Sequence, residues 1–298
     1  MPTHRYADVN GVSLHYATEG SGPLILFVHG FPEFWYAWKN QLAEFGRDHH
    51  AVAPDMRGYN LSSKPPAVEQ YAVPHLVEDL SQLARHLGHE RFTLVAHDWG
   101  GVAAWAFAMV HPDRLERLIV VNAPHPVVFQ RELSENPAQQ KASQYMLVFR
   151  SPEAEQILTA DNYARFRERI LEPGLAKGSF TEEDCQAYLD AWSQPGALTG
   201  GLNYYRAARI GQPAGSGESA GSLGIGPASV RKVPTLVIWG EKDEALLTGN
   251  LVGLERWVAD LTIRRIPDAT HWVVHEKPDL VNAYMRDFIA RTRQEGQP

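Results

Sequence analysis

Short apolar runs without alternation recur along the chain at 24–28, 51–54, 92–96, 118–122 and 235–239, and a further strand-like run covers 261–266. Such runs predict strands covered on both faces, the condition of a parallel sheet. Between them the apolar period changes to that of a helix. Over 74–87, Leu76, Val77, Leu80, Leu83, Ala84 and Leu87 fall on one stripe, with Gly88 placed to end the helix. A second helix is predicted over 100–110, with small residues in its first turn. A last one is predicted over 279–290, where Val281, Tyr284, Met285 and Phe288 mark the apolar face. With 12–17 as a strand of an opening hairpin, the alternation predicts βαβ units around a mostly parallel sheet.

The strand signal stops over 127–211. Helices separated by Pro137, Pro152, Pro173 and Pro195 replace it, and aromatic residues including Tyr145, Phe149, Trp192, Tyr204 and Tyr205 are spread along them. A Gly- and Ser-rich stretch then precedes the return of the strands. The expected organisation is an α/β core over 1–126, a helical lid over 127–211, a flexible linker over 212–229 and the second part of the core over 230–298.

Composition narrows the function. A chain of 298 residues, 44% of them hydrophobic, can bury one large α/β core that carries an insertion. A net charge of −7 without a cluster of Lys and Arg argues against a nucleic-acid partner. The lone Cys185 leaves no internal disulfide and fits a reducing compartment. The first residues lack the apolar core of a signal peptide, and the apolar runs are far shorter than the roughly 20 residues of a membrane helix. A cytoplasmic protein without a membrane partner is the expectation.

The chemistry centres on Ala96-His97-Asp98-Trp99-Gly100-Gly101, where the 92–96 strand meets the 100–110 helix. A tight strand–turn–helix junction lifts one side chain above a sheet, usually a serine. Here it is Asp98. A carboxylate needs no base to activate it and suits attack on a saturated carbon that bears a leaving group. An Asp in this place is also an ordinary helix N-cap, so the other strand ends decide. The 24–28 strand ends in His29-Gly30-Phe31-Pro32, a loop placed to aim a backbone N–H at a reacting oxygen. The 235–239 strand ends in Gly240-Glu241-Lys242-Asp243, and the 261–266 strand is followed by His271-Trp272. Nucleophile, acid and histidine in that order belong to the α/β-hydrolase arrangement. His271 can activate a water, and Asp243 can hold the imidazole and stabilise its cation. His97 beside Asp98 has no companion pair at metal-ligand spacing, so neither a metal nor a cofactor is expected. His49, His50, His86, His89 and His111 show no partner pattern.

On these motifs, and on the segments Gln144-Tyr145-Met146-Leu147-Val148-Phe149 and 196–206, the chain resembles the α/β-hydrolase-fold epoxide hydrolases over nearly its full length. The resemblance implies Asp98 as nucleophile, with His271 and Asp243 as its charge-relay pair. It implies Tyr145 and Tyr205 as donors to the epoxide oxygen, and the backbone N–H groups of Phe31 and Trp99 as the oxyanion hole. Tyr204 stands beside Tyr205, and the motif favours Tyr205. His29, Trp99, Phe149, Trp192 and Trp272 are expected to line the substrate site, which takes a small apolar epoxide with water as co-substrate. Haloalkane dehalogenases share the Asp nucleophile but often carry Asn where Phe31 stands. Haloacetate dehalogenases carry arginines near the nucleophile, where this chain has Trp99, Gly101 and Val102. A catalytically inert binding protein of the same fold is the alternative from another class.

Overall fold

A computed structural model of the chain describes residues 2–209 and 229–295. Apart from Ser229, the linker expected over 212–229 lies outside the described residues. The elements, in order, are β1 (Thr3–Val9), β2 (Val12–Glu19), β3 (Leu24–Val28), α1 (Lys39–Phe45), β4 (His50–Pro54), α2 (Val73–His86), β5 (Phe92–His97), α3 (Asp98–Val110) and β6 (Leu115–Val121). Seven helices follow: α4 (Pro126–Glu135), α5 (Pro137–Ala142), α6 (Tyr145–Arg150), α7 (Ala154–Phe166), α8 (Glu172–Lys177), α9 (Glu182–Trp192) and α10 (Ala197–Ala208). The chain closes with β7 (Thr235–Gly240), β8 (Leu261–Ile266), α11 (Val273–Glu276) and α12 (Pro278–Glu295).

The strands form one sheet in the order β1-β2-β4-β3-β5-β6-β7-β8. β2 runs antiparallel to β1 and β4, and the other pairs are parallel. The unbroken apolar runs have the cause inferred from the sequence. Leu24, Leu26 and Val28 of β3 enter one core, with Leu76 and Leu80 of α2 and Phe107 of α3. Ile25 and Phe27 enter the other, with Leu42 and Phe45 of α1 and Val281 and Met285 of α12. β6 divides in the same way, Leu118 and Val120 against Ile119 and Val121. Side chains that alternate between two buried faces leave no polar position in the strand.

β3, β5, β6, β7 and β8 are parallel, so their C-terminal ends open on one edge, and the loops that leave them meet there. β4 lies on one side of β3 and β5 on the other. The chain therefore reverses its direction of winding beside β5, which opens a crevice at that point.

Several boundaries differ from the sequence-based expectation. α3 starts at Asp98 rather than residue 100, β6 starts at Leu115 rather than 118, and α12 extends past the expected 279–290. α1 was hidden behind the aromatic run 34–38, most of which forms a separate 3-10 turn, Trp35–Trp38. α7 is interrupted at Asp161, Asn162 and Tyr163, which take positive φ. Among the described residues no helix is long and apolar enough to cross a membrane, and no group of His, Cys, Asp and Glu is arranged to hold a metal ion.

α10 packs closely on the core: a Cβ at Gly200 would stand 2.3 Å from the Gly58 carbonyl oxygen. Ala in a helix interior normally stabilises by up to about 1 kcal/mol over Gly. Here the collision outweighs that gain, and Gly200→Ala is expected to destabilise the protein by about 1–3 kcal/mol. Chemical denaturation measures the sign; a more stable variant would show that α10 does not sit this close.

Candidate active site

Asp98 follows the last residue of β5 and has φ +49°, a left-handed conformation uncommon for a residue with a side chain. This bend turns the carboxylate out of the sheet while α3 begins at the same residue. A Cβ at Gly30 would lie 2.3 Å from the Asp98 carboxylate, so only glycine lets the β3 loop approach it. The loop delivers a donor: the Phe31 N–H bonds Asp98 Oδ1 at 2.7 Å. Trp99 lies in the first turn of α3, where backbone N–H groups have no intrahelical acceptor.

His271 Nε2 stands 3.8 Å from Asp98 Oδ2, and His271 Nδ1 donates to Asp243 Oδ2 at 2.7 Å. Asp243 is buried and accepts four hydrogen bonds. Oδ1 takes the N–H groups of Ala245 and Leu246, both at 2.9 Å, and Oδ2 takes His271 and, at 2.8 Å, Asn122 Nδ2. Burial opposes ionisation of Asp243, but the His271 charge and these donors hold its pKa below the ordinary value. Burial likewise pushes His271 down, yet Asp243, Asp98 and Glu33 outweigh it and raise its pKa to about 9.

Tyr145 and Tyr205 come from α6 and α10, and their rings stand 6.4 Å apart between centroids. Burial raises both hydroxyl pKa values well above the ordinary range, and the Asp98 charge adds to the rise. Both remain neutral donors near Asp98. The other tyrosine hydroxyls of the insertion are spent elsewhere. Tyr204 donates to the Arg57 carbonyl at 2.9 Å, Tyr163 to that of Trp192 at 2.9 Å, and Tyr188 to Glu33 at 3.0 Å. Phe31, Trp99 and Phe149 pack around Tyr205 with centroids 5.0–5.4 Å away. Trp272 lies beside the His271 ring at 5.0 Å.

Two of the expected substrate contacts have their nitrogens engaged within the protein. His29 is fully buried, with Nδ1 on the Gly30 carbonyl at 2.8 Å and Nε2 accepting the Met56 N–H at 3.0 Å, so it holds the loop and has no nitrogen left for a ligand. Trp192 spends its indole N–H on the Pro32 carbonyl at 2.6 Å and so ties α9 to that loop. Its ring helps line a cavity of about 20 Å³ beside Phe31, room for a single water. A groove of about 750 Å³ along β1, β2 and His50 contains none of the site residues.

Three residues, Glu33, His275 and Asn122, went unnoticed as site residues in the sequence. Glu33, directly after the His29-Gly30-Phe31-Pro32 loop, is buried between His97 Nδ1 at 2.9 Å and His275 Nε2 at 2.6 Å. Burial alone would raise its pKa, but those two histidines hold it well below the ordinary value. His97 also reaches the His271 carbonyl with Nε2 at 3.0 Å, and its ring lies 4.5 Å from that of His271. Asn122, at the end of β6, supports Asp243. The signal for Glu33 was a charged residue inside an otherwise apolar loop; the other two showed none.

Asp98, His271 and Asp243 thus meet at the ends of β5, β8 and β7 on this sheet order. The chain belongs to the α/β-hydrolase family. A model of the α/β hydrolase fold matches residues 23–278. The chain is 35% identical to Epoxide hydrolase 2 of Caenorhabditis elegans, covering 96% of this chain and 79% of that protein. It is 36% identical to the AB hydrolase superfamily protein YfhM of Bacillus subtilis, over 96% and 97% of the two chains. The crystal structure of a Bacillus megaterium epoxide hydrolase in complex with an inhibitor superposes with a TM-score of 0.89 at 41% identity, over 96% of this chain and 100% of that one.

The His271 pKa can be checked directly. Nuclear magnetic resonance of its ring should give a midpoint near 9, and Asp98→Asn, which removes an anion facing Nε2, should lower it. A raised folded-state pKa stabilises the protein fully below the ordinary value of 6.5, and this contribution fades as pH rises through about 9. An unmoved midpoint in Asp98→Asn would show that the two groups are not coupled.

Proposed function

We infer that the protein is an epoxide hydrolase that forms a covalent ester on Asp98. The observation that carries the reading is the pair of neutral hydroxyls, Tyr145 and Tyr205, placed near a carboxylate that has a backbone donor on one side and a histidine on the other. The relatives named epoxide hydrolases support it.

The steps follow from the geometry. Oδ1 of Asp98 is held by the Phe31 N–H, which leaves Oδ2 free to attack a ring carbon of the epoxide. The carbon–oxygen bond breaks and the oxygen leaves as an alkoxide, a poor leaving group in an apolar cleft. Hydrogen bonds from Tyr145 and Tyr205 strengthen as that charge develops, one of the two phenols gives its proton to the alkoxide, and the proton that His271 carries restores that phenol and leaves the imidazole neutral. The product of this half is a hydroxyalkyl ester. His271 then takes a proton from water at Nε2 while the oxygen attacks the ester carbonyl. The Phe31 and Trp99 N–H groups hold the tetrahedral oxyanion. Collapse frees a vicinal diol and restores the Asp98 carboxylate, so the sum is epoxide plus water.

Charge times the two halves. With Asp98 ionised, His271 has a pKa of about 9 and is protonated at neutral pH. Alkylation turns Asp98 into a neutral ester and removes one of the anions that raise it. His271 therefore becomes a better general base when the ester needs hydrolysis. In this reading the helices between β6 and β7 act as the lid that brings both tyrosines over Asp98, and the aromatic residues around Tyr205 favour an apolar substrate. Among the described residues around Asp98 no guanidinium clamps a carboxylate, as a haloacetate would require. Arg57 is paired with Asp79 and Arg206 with Glu155.

Intact mass after incubation of His271→Gln with an aryl epoxide tests the covalent route. The expected gain is the whole epoxide, absent when Asp98→Ala is added. In a separate incubation with a haloacetate, a gain equal to that compound less hydrogen halide would instead mark a dehalogenase, and no adduct with either compound would point to an untested substrate or to a binding protein. The tyrosines make a separate claim. Loss of one oxyanion-stabilising donor costs roughly 10²–10³-fold in rate elsewhere, so Tyr145→Phe and Tyr205→Phe should each slow ester formation on that scale. Single-turnover kinetics measures it, and ester formation at the wild-type rate in both would remove them from the mechanism.

A further inference from the structure

The groups that act on substrate do not explain Asn122. It follows β6 with φ +38° and is completely buried. Both ends of its amide are engaged: Oδ1 accepts the Gly240 N–H at 2.8 Å, and Nδ2 donates to Asp243 Oδ2 at 2.8 Å. Exchanging oxygen and nitrogen would set donor against donor and oxygen against carboxylate, so only one orientation is tolerated. The Asp243 oxygen it contacts is the one that accepts His271 Nδ1–H at 2.7 Å, while Oδ1 is fixed by Ala245 and Leu246.

We propose that Asn122 is a positioning residue for the hydrolytic half of the reaction, setting the plane of the Asp243 carboxylate and drawing charge from the oxygen that binds His271. A carboxylate anchored through Oδ1 alone can turn about its last side-chain bond, and His271 turns with it. A donor on Oδ2 also weakens the pull of that oxygen on the imidazolium, so His271 gives up its proton at a lower pH than it would beside an unshared oxygen. An amide does both without adding a charge. An aspartate at 122 would instead place a second carboxyl group against Asp243 and add to the negative charge that keeps the proton on His271.

The proposal rests on the ester mechanism above, and its test separates the two. In single-turnover runs with an aryl epoxide, intact mass follows the formation and decay of the ester across pH. The proteins are wild type, His271→Gln, Asn122→Leu, which keeps the side-chain size without the donor, and Asn122→Asp, which keeps the shape. Ester formation in Asn122→Leu should match wild type. Its decay should be slower on the order of tenfold, the scale on which outer-shell partners act in metal sites. The midpoint of its decay-against-pH profile should move upward. Asn122→Asp should move that midpoint further up, and it keeps the test open if the leucine variant does not fold. Unchanged decay and midpoint in the variants that fold would overturn the proposal. So would an equal loss of formation and decay with no shift of midpoint, which is what a merely structural residue gives. If His271→Gln accumulates no ester, the epoxide hydrolase reading falls and the proposal falls with it. If it does accumulate ester while Asn122→Leu behaves as wild type, only the proposal falls.

Discussion

A carboxylate has to stand at the end of β5, largely out of water, in a backbone conformation that side chains seldom adopt. Much of the site answers that constraint. Taking a carboxylate out of water costs several kcal/mol unless donors and cations replace the solvent. At Asp98 the replacements are the Phe31 N–H at 2.7 Å and the His271 ring at 3.8 Å. The first requires the β3 loop to come so near that residue 30 can have no side chain. The second requires a histidine at the end of a strand three positions away in the sheet, oriented by a second carboxylate. Parallel strands make both possible because they bring loops distant in sequence to one edge.

That second carboxylate repeats the problem, and so does a third. Asp243, Glu33 and Asp98 lie close together with little solvent, and each has an imidazole in reach: His271 for Asp243 and Asp98, His97 and His275 for Glu33. His97 joins the two groups, since it meets Glu33 through one nitrogen and the His271 backbone through the other. Glu33 is also bonded by Tyr188 of α9, and Trp192 of the same helix bonds Pro32. The helical insertion is thus tied to the loop that supplies the Phe31 donor. The placement of that insertion and the electrostatics behind His271 share one set of buried bonds.

The sheet was legible because its strands are covered on both faces. Period-two division between two cores forces every residue of β3 to be apolar, and such a run stands out. Asp98, Asp243 and His271 were legible as a set because each follows a strand end in an order that few folds share. β1 was the weaker case: as an exposed edge strand it has four exposed positions in a row and no apolar face to announce it. α1 was lost behind aromatic residues whose burial is set by the sheet beneath them. Glu33, Asn122 and His275 could not be read as supports because support is a tertiary property. Nothing local distinguishes an asparagine that ends a turn from one whose amide lies 2.8 Å from a carboxylate 121 positions along the chain. His29 shows the converse: its place in a loop beside the nucleophile suggested contact with substrate, yet both nitrogens serve the loop.

The two adjacent tyrosines of α10 show most directly how structure divides what sequence leaves together. Residues one apart on a helix point about 100° from each other, so Tyr204 and Tyr205 cannot both face Asp98. Gly200, one turn earlier, lies against Gly58, and that contact fixes which face of α10 meets the core. Tyr204 shares that face, and its hydroxyl closes on the Arg57 carbonyl. Tyr205 is thereby turned toward Trp99, Phe31 and the Asp98 charge, with a phenol too deeply buried to ionise. Close packing of a glycine thus decides which hydroxyl is turned toward Asp98. In the proposed mechanism the choice of donor therefore depends on a backbone contact that carries no functional group.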